Sequence, residues 1–141
     1  MQGLERFMDA QADMYDRALA EVKCGRKRSH WMWYIFPQIY GLGQSDIAIK
    51  YELKSIKEAK EYINNELLRS RLLEISNAIY ELNKDIEDVL GYPDNYKFKS
   101  CMTLFYLVAP EHDIFLKNLN RYFDGELCKH TLEVFQKEKL Q

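Results

Sequence analysis

The side chains best suited to chemistry lie close together between positions 25 and 45 of the chain. Three consecutive cations, Arg26 to Arg28, precede Ser29 and His30, and a run of aromatic and apolar residues follows as far as Pro37. Both tryptophans of the chain and one of its three histidines fall within this segment. Cations, an imidazole and flat rings side by side are groups that suit an anionic, ring-bearing ligand.

A helix start at Ser29 would supply further groups that bind anions. We predict that Ser29 caps a short helix over residues 30–36, which ends because Pro37 disfavours helical geometry at the residue before it. The unsatisfied N–H groups of a first helical turn attract anions, and the helix dipole adds to the attraction. Lys27 would contribute charge, and His30 could donate a hydrogen bond or act as a general acid or base near neutral pH.

The same segment also has a purely structural interpretation. Trp31 and Trp33 would then be core side chains, as aromatic runs usually are, and the cations would form a solvated turn. His30 would be a polar residue satisfied by its neighbours. In the functional interpretation, Trp33 instead stacks against a flat ring of the ligand. The sequence leaves both interpretations open.

A second polar cluster interrupts the most apolar segment of the chain. Lys99 and Ser100 share a helix face with Thr103 if this segment is helical. A lysine on an apolar helix either extends its ammonium group to water or meets an anion. An anion pocket would result if this face met Lys27 and His30, which the sequence does not show.

Two glutamines complete the set of candidates. Gln11 lies in the apolar stripe of the first helix, where a buried amide must find hydrogen-bond partners and is either a structural bridge or part of a site. Gln38 directly follows the aromatic run. The candidate ligand-binding residues are Gln11, Lys27, Ser29, His30, Trp33, Gln38, Lys99, Ser100 and Thr103.

Length and composition predict one globular domain over residues 1–141. The chain is 47% hydrophobic and 30% charged, which are ordinary globular values, and it is long enough to bury a core. No apolar run approaches the roughly 18 residues of a membrane span. The three cysteines form no Cys-x-x-Cys pair, so we expect reduced thiols in a cytoplasmic protein.

Charge and histidine spacing argue against several kinds of partner. With a net charge of −2 the chain lacks the cationic surplus of a general nucleic-acid binder. The segment from Gly25 to Ser29, which we call the basic turn, has only three cations, too few for an extended contact with a phosphate backbone. Nucleic acid is therefore an unlikely partner. The three histidines do not have the spacing of metal ligands. We predict no metal and no cofactor, and the sequence does not indicate an oligomeric state.

Hydrophobic periodicity predicts an all-α fold. Apolar residues at helical spacing predict helices over residues 4–22, 67–82, 113–123 and 129–140, and shorter helices over residues 45–51, 55–63 and 85–90. Ser55 and Glu58 form a capping box. Residues 96–109 begin with strand-like alternation, but no convincing second strand could pair with them, so we predict a buried helix there. The total is about seven or eight helices.

Several motifs resemble those of an uncharacterised bacterial family catalogued as "domain of unknown function 1810", some members of which carry a calpastatin-like label. The resemblance runs from about Phe7 to Leu132 and rests on Phe7-x-x-Ala10-Gln11, Gly25-x-Lys27-x-Ser29-His30-Trp31-Met32-Trp33, Ile35-Phe36-Pro37-Gln38, Gly41-Leu42-Gly43-x-Ser45, Glu58-Ala59, Arg71-Leu72 and Lys99-Ser100-x-Met102-Thr103-Leu104-Phe105. The chain departs from the family pattern at Asn64-Asn65 and at Leu127-Cys128-Lys129. The resemblance implies a single, mainly helical domain and no established activity.

The sequence thus predicts a cytoplasmic protein that binds a small anionic ligand, phosphate-containing and nucleotide-like, at a helix start. Catalysis at that site is possible, but no complete catalytic motif assigns it. The alternative is a module that binds a partner protein or nucleic acid through the basic turn and the aromatic segment. A concave pocket would favour the first function, and a flat exposed aromatic patch would favour the second.

Overall fold

Helices that hold apolar residues on one face follow one another along the whole described chain. The structure is a computed structural model that describes residues 3–140. Within this range the helices are α1 (Glu5–Lys23), α2 (Met32–Ile35), α3 (Asp46–Tyr51), α4 (Ile56–Asn64), α5 (Glu66–Glu81), α6 (Ile86–Leu90), α7 (Asp94–Val108), α8 (Ile114–Phe123) and α9 (Lys129–Lys139). The predicted all-α class is confirmed, and no described helix is long and apolar enough to cross a membrane.

Local capping explains where four of the helices begin. The side chains of Ser45, Ser55, Asn65 and Asp85 each accept a hydrogen bond from an N–H group in the first turn of the following helix. These bonds satisfy donors that a helix start leaves unpaired. At the other end of α1, Gly25 adopts a positive φ of 86°, a conformation that favours glycine and ends the helix there.

Helix α7 forms the centre of the molecule. It packs against α4, α6, α8 and α9, and residues 100–105 are all buried. The strand-like alternation at its start does not produce a strand, because the surrounding helices bury this segment on several sides. The prediction of a buried helix over residues 96–109 is confirmed, with the helix beginning two residues earlier, at Asp94.

The aromatic run after the basic turn is part of the core. Trp31 and Phe36 are fully buried, and the Phe36 ring meets Phe98 of α7 edge to face at a centroid distance of 5.1 Å. The prediction that Ser29 caps a helix over residues 30–36 is wrong. Helix α2 covers only Met32–Ile35, Trp31 occupies its N-cap position, and no side chain caps it.

Candidate functional site

A carboxylate of the protein itself occupies the predicted anion-binding turn. Glu21 Oε1 accepts hydrogen bonds from the backbone N–H groups of Arg28 (2.7 Å) and Ser29 (3.0 Å) and from Trp31 Nε1 (2.9 Å). Glu21 Oε2 accepts from the Ser29 hydroxyl at 2.6 Å. Ser29 donates this bond and does not cap α2, because the helix begins at Met32 and Trp31 occupies its N-cap position. The turn does bind an anion, but the anion is the side chain of α1.

The charge state of Glu21 follows from these contacts. Burial by itself would raise its pKa, but the donors on Ser29, Arg28 and Trp31 stabilise the carboxylate and together lower the pKa from 4.5 to about 2. Glu21 is therefore ionised at neutral pH. Its hydrogen bonds hold the turn on α1, and the side chains of Arg26 and Arg28 are exposed.

Two contacts hold the basic turn against α6. The Lys27 N–H donates to the Val89 carbonyl at 2.7 Å, and Lys84 Nζ donates to the Gly25 carbonyl at 3.0 Å. The backbone of the turn is thus anchored at Gly25 and at Lys27. Side chains that leave the turn start from a fixed position, which favours preorganised binding.

The side chain of Lys27 leads to a group that we call the Asp94 cluster, formed by Lys27, Trp33, Asp94 and Lys97. Asp94 Oδ2 lies 2.9 Å from Lys27 Nζ, and Asp94 Oδ1 lies 3.0 Å from Lys97 Nζ. Lys97 Nζ also lies 3.7 Å from the centroid of the half-buried Trp33 ring, a cation–π contact. Two lysines share one carboxylate, so the cluster carries one excess positive charge.

A surface cleft of about 490 Å³ adjoins this cluster at Lys27. Its charged lining residues are Arg26, Lys27, Lys84, Glu87 and Asp88, and residues 89–91 complete its wall. The volume falls within the range of small-molecule sites. Arg26 is exposed and has no ion-pair partner among residues 3–140. The cleft and the cluster together form the candidate site.

The second predicted cluster does not join the first. Successive residues of an α-helix are turned by about 100°, which places Lys99 on the opposite side of α7 from Asp94 and Lys97. Lys99 forms an ion pair with Glu126. Thr103 Oγ1 accepts from the Cys128 N–H at 2.9 Å and donates to the Lys99 carbonyl at 2.8 Å.

The Ser100 hydroxyl, from the same predicted cluster, also faces the start of α9. Its oxygen lies 3.1 Å from the Tyr96 carbonyl and 3.2 Å from Cys128 Sγ. Together with the contacts of Lys99 and Thr103, these distances show that the cluster connects α7 to the segment before α9. It joins two parts of the protein and does not contact Lys27 or His30.

The remaining candidates have separate locations. Gln11 is buried, and its Nε2 donates to the Tyr34 carbonyl (2.8 Å) and to the Tyr62 hydroxyl (3.0 Å), while its Oε1 accepts from Arg71 at 3.4 Å. Groups of the protein thus bind both the nitrogen and the oxygen of the amide, as a structural bridge requires. Gln38 is buried, and its backbone carbonyl accepts from the Leu53 N–H.

His30 is the exposed member of the predicted set. Its side chain lies at the surface beside the basic turn, and its backbone carbonyl accepts a hydrogen bond from the Tyr34 hydroxyl at 3.4 Å. The imidazole is therefore accessible to a ligand. Within residues 3–140, no three His, Cys, Asp or Glu side chains are grouped closely enough to hold a metal ion.

Comparison with known proteins places this arrangement in a family. The profile of the family described as "Protein of unknown function (DUF1810)" matches residues 1–135. The chain belongs to the DUF1810 family. It is also similar to the crystal structure of the conserved hypothetical protein Rv1873 from Mycobacterium tuberculosis, at 38% identity and a TM-score of 0.90, over 92% of this chain and 94% of that one. No curated protein matches the chain. The family resemblance is confirmed, and neither description states an activity.

Sequence reasoning missed Asp94 and Lys97 of the Asp94 cluster in this DUF1810 protein, and also Glu21, which holds the adjoining turn. Asp94 and Lys97 stand three positions apart, a spacing that pairs charges on a helix face. The predicted helix began at residue 96 and so left out Asp94, whereas a start at Asp94 would have indicated this pair. Glu21 lies on the polar side of α1 and had no local signal. Its partners come from the following turn and become visible only in the folded chain.

The contribution of Glu21 to stability should depend on pH in this DUF1810 protein. Its folded-state pKa of about 2 lies below the ordinary value of 4.5, so its contribution is fully present above about pH 4.5 and is lost as the pH falls toward 2. The measurement is the free energy of unfolding by urea over this range, for the unaltered protein and for Glu21→Gln. The difference between the two should shrink below about pH 4.5, and a difference that is constant with pH would contradict the assignment.

Proposed function

We propose that this protein binds a small ligand that carries an anionic group, such as a phosphate ester of a ring-bearing molecule. The site is the Asp94 cluster together with the adjoining cleft. The observation that carries the proposal is the sharing of Asp94 by Lys27 and Lys97. One excess positive charge remains at the surface, where an anionic group of a ligand would complete the charge balance.

Partial burial makes this charge suitable for binding. The side chains of Lys27, Asp94 and Lys97 are 10%, 16% and 20% exposed. Charges that are partly shielded from water interact more strongly than charges on an open surface, and salt screens them less. The half-buried Trp33 beside Lys97 offers an apolar surface for the remainder of the ligand.

The proposal retains some of the residues predicted from the sequence and leaves others out. Lys27, His30 and Trp33 lie at or beside the site. The other six make contacts within the protein, and for them we propose a structural role: Gln11, Ser29, Gln38, Lys99, Ser100 and Thr103. The predicted cytoplasmic location stays a prediction.

The first experiment is a thermal-shift titration with AMP, ribose 5-phosphate and inorganic phosphate, with adenosine as the uncharged reference. A ligand that binds only the folded state stabilises it by about 2.7 kcal/mol at a hundred times its Kd. We expect the phosphate esters to raise the Tm and adenosine to leave it unchanged. A Tm unchanged by every phosphate compound would reject the proposal.

The variant Lys97→Met should weaken binding of the active phosphate ester by about 10-fold or more, because a hydrogen bond to a charged group is worth about 1.5–3 kcal/mol. The Tm without ligand should change little, since Asp94 keeps Lys27 as a partner. Isothermal titration calorimetry measures the Kd. Lys117→Met on α8 is the matched control, because its side chain is 50% exposed and lies on another element. An equal loss in both variants would contradict the assignment to Lys97.

Lys99→Met tests whether the second polar cluster contributes to ligand binding, a question that the sequence left open. If Lys99 contributed to the site, its loss would weaken binding as much as the loss of Lys97. In the proposed site only Lys97 faces Lys27 and Trp33, so the Kd should respond to Lys97 alone.

A second candidate function is supported by a different observation. Tyr92 and Tyr96 are 72% and 54% exposed, and their rings meet edge to face at a centroid distance of 5.8 Å. Exposed aromatic side chains are enriched where proteins bind partners. A module that binds a protein or a nucleic acid beside the basic turn is therefore the alternative. It becomes the favoured function if no phosphate ester raises the Tm.

A further inference from the structure

Two adjoining surface clefts border α4, and Lys57 lies on the wall of both. The first has a volume of about 480 Å³, and its charged side chains are Arg6, Lys50, Lys54, Lys57, Glu58 and Glu61. The second has a volume of about 370 Å³, and its charged side chains are Lys57, Lys60, Glu138 and Lys139. The two clefts are thus lined by six cations and three carboxylates.

Two of the three carboxylates are already engaged within the protein. Glu58 accepts hydrogen bonds from the buried guanidinium of Arg6 at 2.9 and 3.0 Å. Glu138 accepts from the Tyr40 hydroxyl at 2.8 Å and from the Ile56 N–H at 2.9 Å. These carboxylates therefore have little capacity left to neutralise the lysines around them.

Most of the lysines, by contrast, have no carboxylate partner. Lys54 contacts Glu52 at 3.2 Å. The other four side chains are exposed and form no ion pair with any of residues 3–140: Lys50, Lys57, Lys60 and Lys139. The whole chain carries a net charge of −2, so a local excess of positive charge in concave surfaces stands out against the average and attracts anions.

The floor of the first cleft is rigid. Arg6 donates to the backbone carbonyls of Gly3 (2.7 Å), Lys50 (2.8 Å) and Glu52 (2.7 Å) in addition to its ion pair with Glu58. These bonds tie the start of α1 to the backbone from which the lysines extend. The positive end of the α4 dipole points toward the same region.

We propose that these two clefts form a single site for a ligand with two or more linked phosphate groups. A phosphate group in each cleft would contact Lys57 from either side, and the link between the groups would make the second contact intramolecular. This inference goes beyond the proposed function, because α4 and the end of α9 contribute no residue to the Asp94 cluster. Either site can exist without the other.

The experiment compares inorganic tripolyphosphate with orthophosphate by isothermal titration calorimetry at constant ionic strength. We expect tripolyphosphate to bind at least about 10-fold more tightly, because linked groups gain from effective concentration. Lys57→Gln should weaken tripolyphosphate binding by about 10-fold, the loss of one or two charge-assisted contacts. Lys57→Arg, which keeps the charge, should retain it. Equal affinity for the two anions, or an unchanged Kd in Lys57→Gln, would overturn the proposal.

Further variants and ligands test whether the change in tripolyphosphate binding is specific to Lys57 and which source of phosphate groups the site prefers. Gln is nearly as good a helix former as Lys, and Lys57 is exposed, so circular dichroism of Lys57→Gln should match the unaltered protein. Lys117→Gln on α8 is the control for loss of one positive charge. A decamer of thymidylate that binds more tightly than tripolyphosphate, with the same dependence on Lys57, would assign a single-strand backbone as the source of the phosphates. Weaker binding of the decamer would assign a free polyphosphate.

Discussion

Replacing Phe36 with Ala is expected to lower the free energy of unfolding by about 3–5 kcal/mol. Phe36 is fully buried, and its ring packs edge to face on Phe98 at 5.1 Å and at a tilt against Trp31 at 6.3 Å. Both neighbours are themselves fully buried in the core, so we expect them to fill only part of the space that the ring leaves. The cost therefore includes the cavity as well as the lost apolar burial.

Urea denaturation measures this effect as a shift in the midpoint at an unchanged slope. Tyr92→Ala is the matched control, because it also removes an aromatic ring but from a side chain that is 72% exposed. Its effect should stay within about 0.5 kcal/mol. A midpoint that does not move in Phe36→Ala would show that the ring does not contribute to the core.

Glu21→Ala should destabilise the protein by about 2–4 kcal/mol, because it removes a charged acceptor of several hydrogen bonds. The indole N–H of the fully buried Trp31 loses its partner at 2.9 Å, and the Ser29 N–H and hydroxyl lose theirs. A buried donor without an acceptor incurs the full desolvation cost. The basic turn should also lose its attachment to α1, while its contacts with Val89 and Lys84 remain.

Two further variants distinguish the loss of the hydrogen bonds to Glu21, which we call the Glu21 network, from the loss of a carboxylate in general. Glu133→Ala removes an exposed carboxylate from α9 and should change stability by no more than about 0.5 kcal/mol. Glu21→Gln keeps an acceptor oxygen but loses the charge, so its effect should be intermediate. Glu21→Ala with the stability of the unaltered protein would show that the network is dispensable.

The order and bounds of the helices could largely be predicted from the sequence. The predicted helix over residues 129–140 differs from α9 by one residue, and the predicted start at Ser55 carries the expected cap. Both depend on interactions within a few residues of the chain, which periodicity and capping rules describe. The prediction of a helix directly after Ser29 is wrong because the start of this helix depends on a contact with a distant residue. Glu21 of α1 accepts hydrogen bonds from the Ser29 N–H and hydroxyl and from the Trp31 indole, and the helix begins only after this turn, at Met32.

The candidate site was predicted only in part. The basic turn and Trp33 were recognised because unusual residue types are concentrated there. The sequence left open whether Lys99 meets them, and the structure places the same helix beside the turn but with another face toward it. Lys97 and Asp94 lie there instead. A helix in a core has side chains on every side, so its sequence alone does not indicate which face meets which neighbour.

The sequence by itself determined the helical class, most helix bounds and the location of the basic turn. Each of these follows from local propensity or from the burial of apolar side chains, which need no particular partner. Only the tertiary structure decided which charges pair: Glu21 with the Ser29 turn, Asp94 with Lys27, and Arg6 with Glu58. A charged side chain is compatible with many partners in sequence, and the one it meets depends on how distant segments pack in three dimensions.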